Sequence, residues 1–391
     1  MRSTLRERNL RLGEQLTQVR SFIEGVEIVP ELEPYRNRLL EVIKAPAAEC
    51  ARNIILLDLN VASLQPDIVS NTRSVIRTIR LLSTSFLRPL FRSSRSDRIC
   101  LKTIEWMHAQ HSKTKDLPAA FADDACSIAP IIQISPVYFF PCLEQRGLLF
   151  QPLFYHEFGH VLYQVHEKEL DDLVFELQRS ISGSLSPLSQ RNDRYSDAQA
   201  ADLQSVVDAW YHWAQELFCD AVGLSIGGPA FLEAFSAYMH QFEIGDFYLP
   251  VENLRGKSHP ISWLRMRYLL LLARDWGLDG VAKRVETLWE ETRNELSASD
   301  DYHGYFEPSF DPFVRSTLSD MLIEASPRRF TPSEISEGGD AASRDQNLEW
   351  PALLNEAWFR YHRDPDEYSR WEYEQCERVL AHRSAGQNPN Q

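Results

Sequence analysis

Residues 153–165 read Leu153-Phe154-Tyr155-His156-Glu157-Phe158-Gly159-His160-Val161-Leu162-Tyr163-Gln164-Val165, an apolar run interrupted by His156, Glu157 and His160 in H-E-x-x-H spacing. Positions i and i+4 of an α-helix lie one above the other on one face, so both imidazoles can reach a single metal ion. Zinc is the metal this pattern ordinarily holds. Glu157 lies beside that pair, where its carboxylate can take a proton from a metal-activated water. Phe154, Tyr155, Phe158, Val161 and Leu162 supply packing for a buried helix, and Gly159 is read as leaving room beside the metal. The competing reading is a core helix that carries the three residues by coincidence. With 11 histidines in 391 residues that coincidence is rare.

Two histidines leave a catalytic zinc short of its usual third protein ligand. Glu216, in Trp213-Ala214-Gln215-Glu216-Leu217-Phe218-Cys219-Asp220, is the preferred candidate, because Asp220 follows one turn later. From there it could accept a hydrogen bond from the far nitrogen of a ligating histidine. His166 and His212 remain alternatives. His156 to His166 approaches H-E-x-x-H-x-x-G-x-x-H, but Tyr163 stands where a glycine would have to turn the chain. His212 sits one turn before Glu216.

This pattern resembles the gluzincin-type zinc metallopeptidases, in which H-E-x-x-H is followed on a later helix by a glutamate ligand and then an aspartate. The resemblance implies His156, His160 and Glu216 as ligands of one Zn²⁺ per chain, Glu157 as general base and Asp220 behind a ligand. It covers residues 150–225. Ser258-His259-Pro260 followed by Arg265 is similar to the H-P-x-x-x-x-R element of some gluzincins, including relatives of the CAAX prenyl proteases, and it makes His259 a candidate donor to the oxyanion. Alternatively His259-Pro260 merely starts the next helix. Tyr248 and Tyr268 are further candidate donors. The implied reaction is peptide-bond hydrolysis, and without a G-x-M-E-N signature an endopeptidase is expected over an aminopeptidase. The implied fold is a mainly α, α+β zincin with a small sheet beside the metal helix. An inactive zincin-fold binding protein and a basic partner-binding module with a regulated site are the alternatives; the first has no use for Glu157.

Composition is that of an ordinary globular chain, 43% hydrophobic and 25% charged, with a formal net charge of −15. No run approaches about 18 apolar residues, so neither a membrane span nor a signal peptide is expected. Six cysteines without C-x-x-C spacing point to a reducing, cytoplasmic setting. Charge is uneven: residues 1–115 carry 19 Lys or Arg against 12 Asp or Glu, leaving 22 against 44 for the rest. Arg73, Arg77, Arg80, Arg88, Arg92, Arg95 and Arg98 crowd one stretch. It lacks interleaved surface aromatics and reads as a solvated helix face rather than a nucleic-acid surface. A peptide or protein substrate is the expected partner.

Along the chain, hydrophobic spacing predicts helices over 4–25, 35–60 and 67–91, punctuated by Pro46, Pro66 and Pro89, and another over 98–111 that carries His108 and His111 as surface residues. Residues 128–140 predict one or two strands, either a substrate-pairing edge or core strands. The metal helix is expected to run past Val165 toward Ile181, with a loop over 182–195. Further helices are expected over 198–226, 229–240, 261–276, 280–296 and 350–383. Domains are read as a helical region over 1–115, a zincin-like core over 116–326, a linker over 327–349, and a C-terminal helix and tail over 350–391.

Overall fold

The computed structural model describes residues 1–59, 62–91, 93–95, 97–141, 147–185, 197–299, 301–335 and 349–381. Helices dominate it, with one three-stranded sheet, which is the mainly α, α+β class. The chain divides into two compact units, Met1–Glu105 with Asp116–Arg146, and Trp106–Lys115 with Gly147–Gln391. Residues 116–146, expected in the catalytic core, group with the N-terminal helices, and the C-terminal helices group with the helix that carries His156 and His160. Arg92, Cys142, most of the 182–195 loop, residues 336–348 of the linker and the polar tail lie outside the described residues.

The first unit holds α1 (Arg2–Gly25), α2 (Glu33–Asp58), α3 (Gln65–Leu81), α4 (Arg88–Phe91) and the start of α5 (Asp97–Ala109). It also holds β1 (Ala120–Asp123), β2 (Ser127–Ala129) and β3 (Val137–Phe140). Leu12, Leu16 and Ile23 of α1 and Leu39, Ile43 and Leu57 of α2 are buried at helical spacing. A polar spine joins three helices: the Asn9 amide donates to Thr72 Oγ1 at 3.0 Å, and Asn53 donates to Asn9 Oδ1 at 3.1 Å. Pro46 does not punctuate α2 but sits inside it. It removes one ladder hydrogen bond there, and the buried stripe on either side carries the helix through.

The sheet runs β1-β3-β2, with β3 parallel to β1 and antiparallel to β2. β1 was not anticipated. Val137–Phe140 is the central strand and is fully buried, so it has no free edge to offer a substrate backbone. Of the basic stretch, Arg88 pairs with Asp124 at 2.7 Å and Arg98 with Glu31 at 2.8 Å. Arg73, Arg77 and Arg80 are exposed on α3.

The second unit comprises α6 (Leu153–Val165), α7 (Glu167–Leu185), α8 (Asp197–Gly227), α9 (Pro229–Met239), α10 (Val251–Leu254), α11 (Ser262–Asp275) and α12 (Asp279–Leu296). It continues with α13 (Asp311–Ala325), α14 (Trp350–Arg363) and α15 (Pro365–Ala381). α8 is its axis, packing against α6, α7, α9, α11, α13 and α14. The buried indoles are tied to the chain: Trp210 donates to the Tyr305 carbonyl at 2.8 Å and Trp213 to the Lys257 carbonyl at 3.0 Å. No described helix is long and apolar enough to cross a membrane.

The helix expected to hold the metal does not continue to Ile181. It ends at Val165, where His166 leaves helical geometry (φ −122°, ψ 22°), and α7 starts afresh. Lys113 Nζ donates to the Val165 carbonyl at 3.1 Å and lies 3.2 Å from His166 Nδ1, so a cation caps the carbonyl end of the helix.

Candidate metal centre

α6 and α8 pass so close that a methyl group on Gly159 would stand 2.6 Å from Cys219 Cα. Gly159 therefore makes room for the neighbouring helix rather than for a metal. That approach faces His156 and His160 on α6 toward Glu216 on α8. Two hydroxyls help to fix the pair of helices, since Tyr163 (2.5 Å) and Tyr211 (3.0 Å) both donate to Asp171 Oδ1 on α7.

His156 Nε2 lies 3.5 Å from Glu216 Oε2, and His160 Nε2 lies 3.6 Å from Glu216 Oε1. His156, Glu157 and His160 form a group whose ligand atoms all fall within 4.8 Å of one another. Glu216 Oε2 is buried and accepts no hydrogen bond. The Arg265 guanidinium stands 3.3 Å from it and the His156 imidazole 3.5 Å, so its charge is compensated although it accepts no hydrogen bond. The donor set, two imidazole nitrogens and a carboxylate, suits zinc. These residues could hold a metal ion.

Asp220, one turn after Glu216, accepts from His156 Nδ1 at 2.8 Å. That bond places the proton on Nδ1 and leaves Nε2 free to face Glu216, as a metal-ligating histidine requires. Burial disfavours the charged form of His156, yet the hydrogen bond to Asp220 and the negative charges of Asp220 and Glu157 together outweigh it and raise the pKa. Burial, aided by the neighbouring His156, pushes the His160 imidazole down to about 4. Glu216 and Asp220 are held below the usual carboxylate range: burial works against this and is outweighed by Arg265 together with the histidines, His156, His160 and His259 for Glu216 and His156 for Asp220.

Arg265 is the site residue whose part the sequence did not reveal. From α11 its Nε reaches Asp220 Oδ2 at 2.8 Å and its Nη2 reaches Asp220 Oδ1 at 2.6 Å. The same Nη2 stands 3.3 Å from Glu216 Oε2. The only sequence signal was its place in H-P-x-x-x-x-R, which says nothing about its partner.

His259 also reaches the site, with Nε2 3.4 Å from Glu216 Oε1 and Nδ1 2.9 Å from Ser258 Oγ. Its side chain is 54% exposed and that of His160 is 26% exposed, so the donors are open to solvent on this side. Tyr268 is engaged elsewhere, donating to Asp311 at 2.9 Å, and the Tyr248 ring meets that of His303 edge-on.

The alternative third ligands turn to other neighbours. His166 meets Lys113 and, at 3.7 Å, Glu324. His212 is exposed, its ring against Tyr211. The expectation that His108 and His111 are surface residues fails, because both are buried. His108 packs on Phe158 and bonds to the Thr114 carbonyl, while His111 bonds to the Ala325 carbonyl. A groove of about 930 Å³ lined by Trp276, Asp311, Arg315 and Arg329 contains none of the donors. Compared with known proteins, the sequence matches no family model and no curated protein, and the fold matches no solved structure.

Proposed function

We propose that the protein is a zinc-dependent metallopeptidase of the gluzincin type, acting on peptide bonds within polypeptides. The observation that carries this reading is the convergence of the two Nε2 atoms of an H-E-x-x-H pair on the buried Glu216 carboxylate, at 3.5 and 3.6 Å. His156, His160 and Glu216 would hold the ion, with Asp220 steadying His156. Zinc so held polarises a carbonyl and makes water acidic enough to lose a proton near neutral pH.

The remaining work falls to the chain's own groups. Glu157, buried beside the two histidines, accepts the proton of the attacking water and passes it to the departing amide nitrogen. His259, half-exposed at the rim, donates from Nε2 to the substrate carbonyl oxygen as negative charge grows there. Glu157 also distinguishes this reading from a metal-stabilised binding protein, which would need no base beside its ligands.

Cleavage of a quenched fluorescent peptide library by the zinc-loaded protein tests the proposal. Turnover that falls by about 10²–10⁴-fold in Glu157→Gln, while zinc is retained, is expected. Equal turnover in both proteins would overturn it.

A further inference from the structure

The geometry points to Arg265 as a positioning residue that sets the metal-binding pose of His156 through Asp220, an inference that rests on the metal reading above. Three observations converge on it. First, the guanidinium grips both oxygens of Asp220, at 2.6 and 2.8 Å, and the oxygen bound at 2.6 Å is the one that accepts from His156 Nδ1 at 2.8 Å. A carboxylate held by a two-pronged donor cannot rotate about its own axis. Its free lone pair then fixes the plane of the imidazole.

Second, Arg265 and His156 share a floor. The guanidinium carbon lies 4.9 Å from the Phe235 ring centroid, and the His156 ring lies 5.9 Å from the same centroid. Third, Arg265 is itself buried and faces the ligand Glu216 at 3.3 Å. Without it, two carboxylates one helical turn apart would be buried with no permanent cation between them. Its hydrogen bonds to carboxylates, however, go to Asp220 and none to Glu216, so its hold on the donor set runs through Asp220.

Zinc affinity, measured by competition with a chromophoric chelator, tests the inference on the full chain. The proteins compared are wild type, Arg265→Met, Arg265→Lys, Asp220→Asn and the Asp220→Asn/Arg265→Met double variant, with circular dichroism of each metal-free protein as the measure of folding. Loss of a ligand's orienting partner costs about 10–100-fold in affinity, and each single variant is expected to show it. The double variant is expected to bind no more weakly than Asp220→Asn alone, because Arg265 acts through Asp220. Lysine keeps the charge but cannot span both oxygens, so Arg265→Lys should fold and still bind less tightly.

Unchanged affinity in Arg265→Lys, or single losses that multiply in the double variant, would overturn the inference while leaving the metal centre intact. A lowered melting temperature with wild-type affinity would do the same, assigning Arg265 to the core alone. If Arg265→Met does not fold, Arg265→Lys and the double variant, which removes the Asp220 charge together with its partner, decide the question. A wild-type chain that binds no zinc overturns both this inference and the reading on which it rests.

Discussion

At the scale of single residues, the protein keeps several histidines neutral by burying them, and this has a consequence at acid pH. His108 sits among α5, Phe158 and the Thr114 carbonyl, and burial pushes its imidazole down to about 4. In the unfolded chain its pKa is about 6.5. The unfolded state therefore binds the extra proton first as pH falls, and stability drops between about pH 6.5 and about pH 4, by up to about 3 kcal/mol from this group. Urea unfolding of the metal-free protein at a series of pH values checks this. His108→Gln should lose less stability than wild type over that window, and an identical pH dependence would count against a buried neutral His108. This residue also shows where reading the sequence fails. His108 and His111 gave no sign of burial, because their partners come from residues six and 214 positions away. That His156, Glu157, His160, Glu216 and Asp220 come together was legible because it depends on spacing within two helices. Arg265 was legible as a letter of a motif but not as Asp220's partner, since no local rule says which acid a residue on a third helix will meet.

At the scale of elements, the approach of α6 to α8 decides whether the donors meet at all. Gly159→Ala would force a methyl group within 2.6 Å of Cys219 Cα. Overpacking of this kind costs about 1–3 kcal/mol, and separating the helices would also draw Glu216 away from the histidines. Thermal unfolding and zinc affinity should both suffer. Cys219→Ala should not rescue the variant, because the clash is with the backbone carbon that every residue carries. Rescue by Cys219→Ala would mean that the side chain alone sets the spacing. Helix existence followed well from hydrophobic periodicity, whereas boundaries did not. Nothing between Val165 and Glu167 announces a break, which comes with Lys113, far back in the chain, binding the Val165 carbonyl. β1 was missed for a related reason. Its Ala120-Phe121-Ala122-Asp123 carries little strand propensity of its own, and pairing with β3 makes it a strand.

At the scale of the whole molecule, the second unit contains every residue proposed for the chemistry, from His156 to Arg265, and the first contains the sheet and the exposed arginines of α3. Charge imbalance between the two ends was plain in the sequence, but the grouping of residues 116–146 with the N-terminal helices was not, because it depends on which surfaces pack. Metal should act on the second unit as folding energy. A ligand bound only by the native state adds about 4 kcal/mol at a thousandfold excess over its dissociation constant, so removing zinc should lower the melting temperature. The central claim is that His156, His160 and Glu216 hold one zinc ion, and the most direct measurement is metal content by mass spectrometry on purified wild type, Glu216→Ala and Glu157→Gln. The account predicts one zinc per wild-type chain, retention in Glu157→Gln and a sharp loss in Glu216→Ala. A wild-type chain that carries no zinc and takes none up when it is supplied would contradict it.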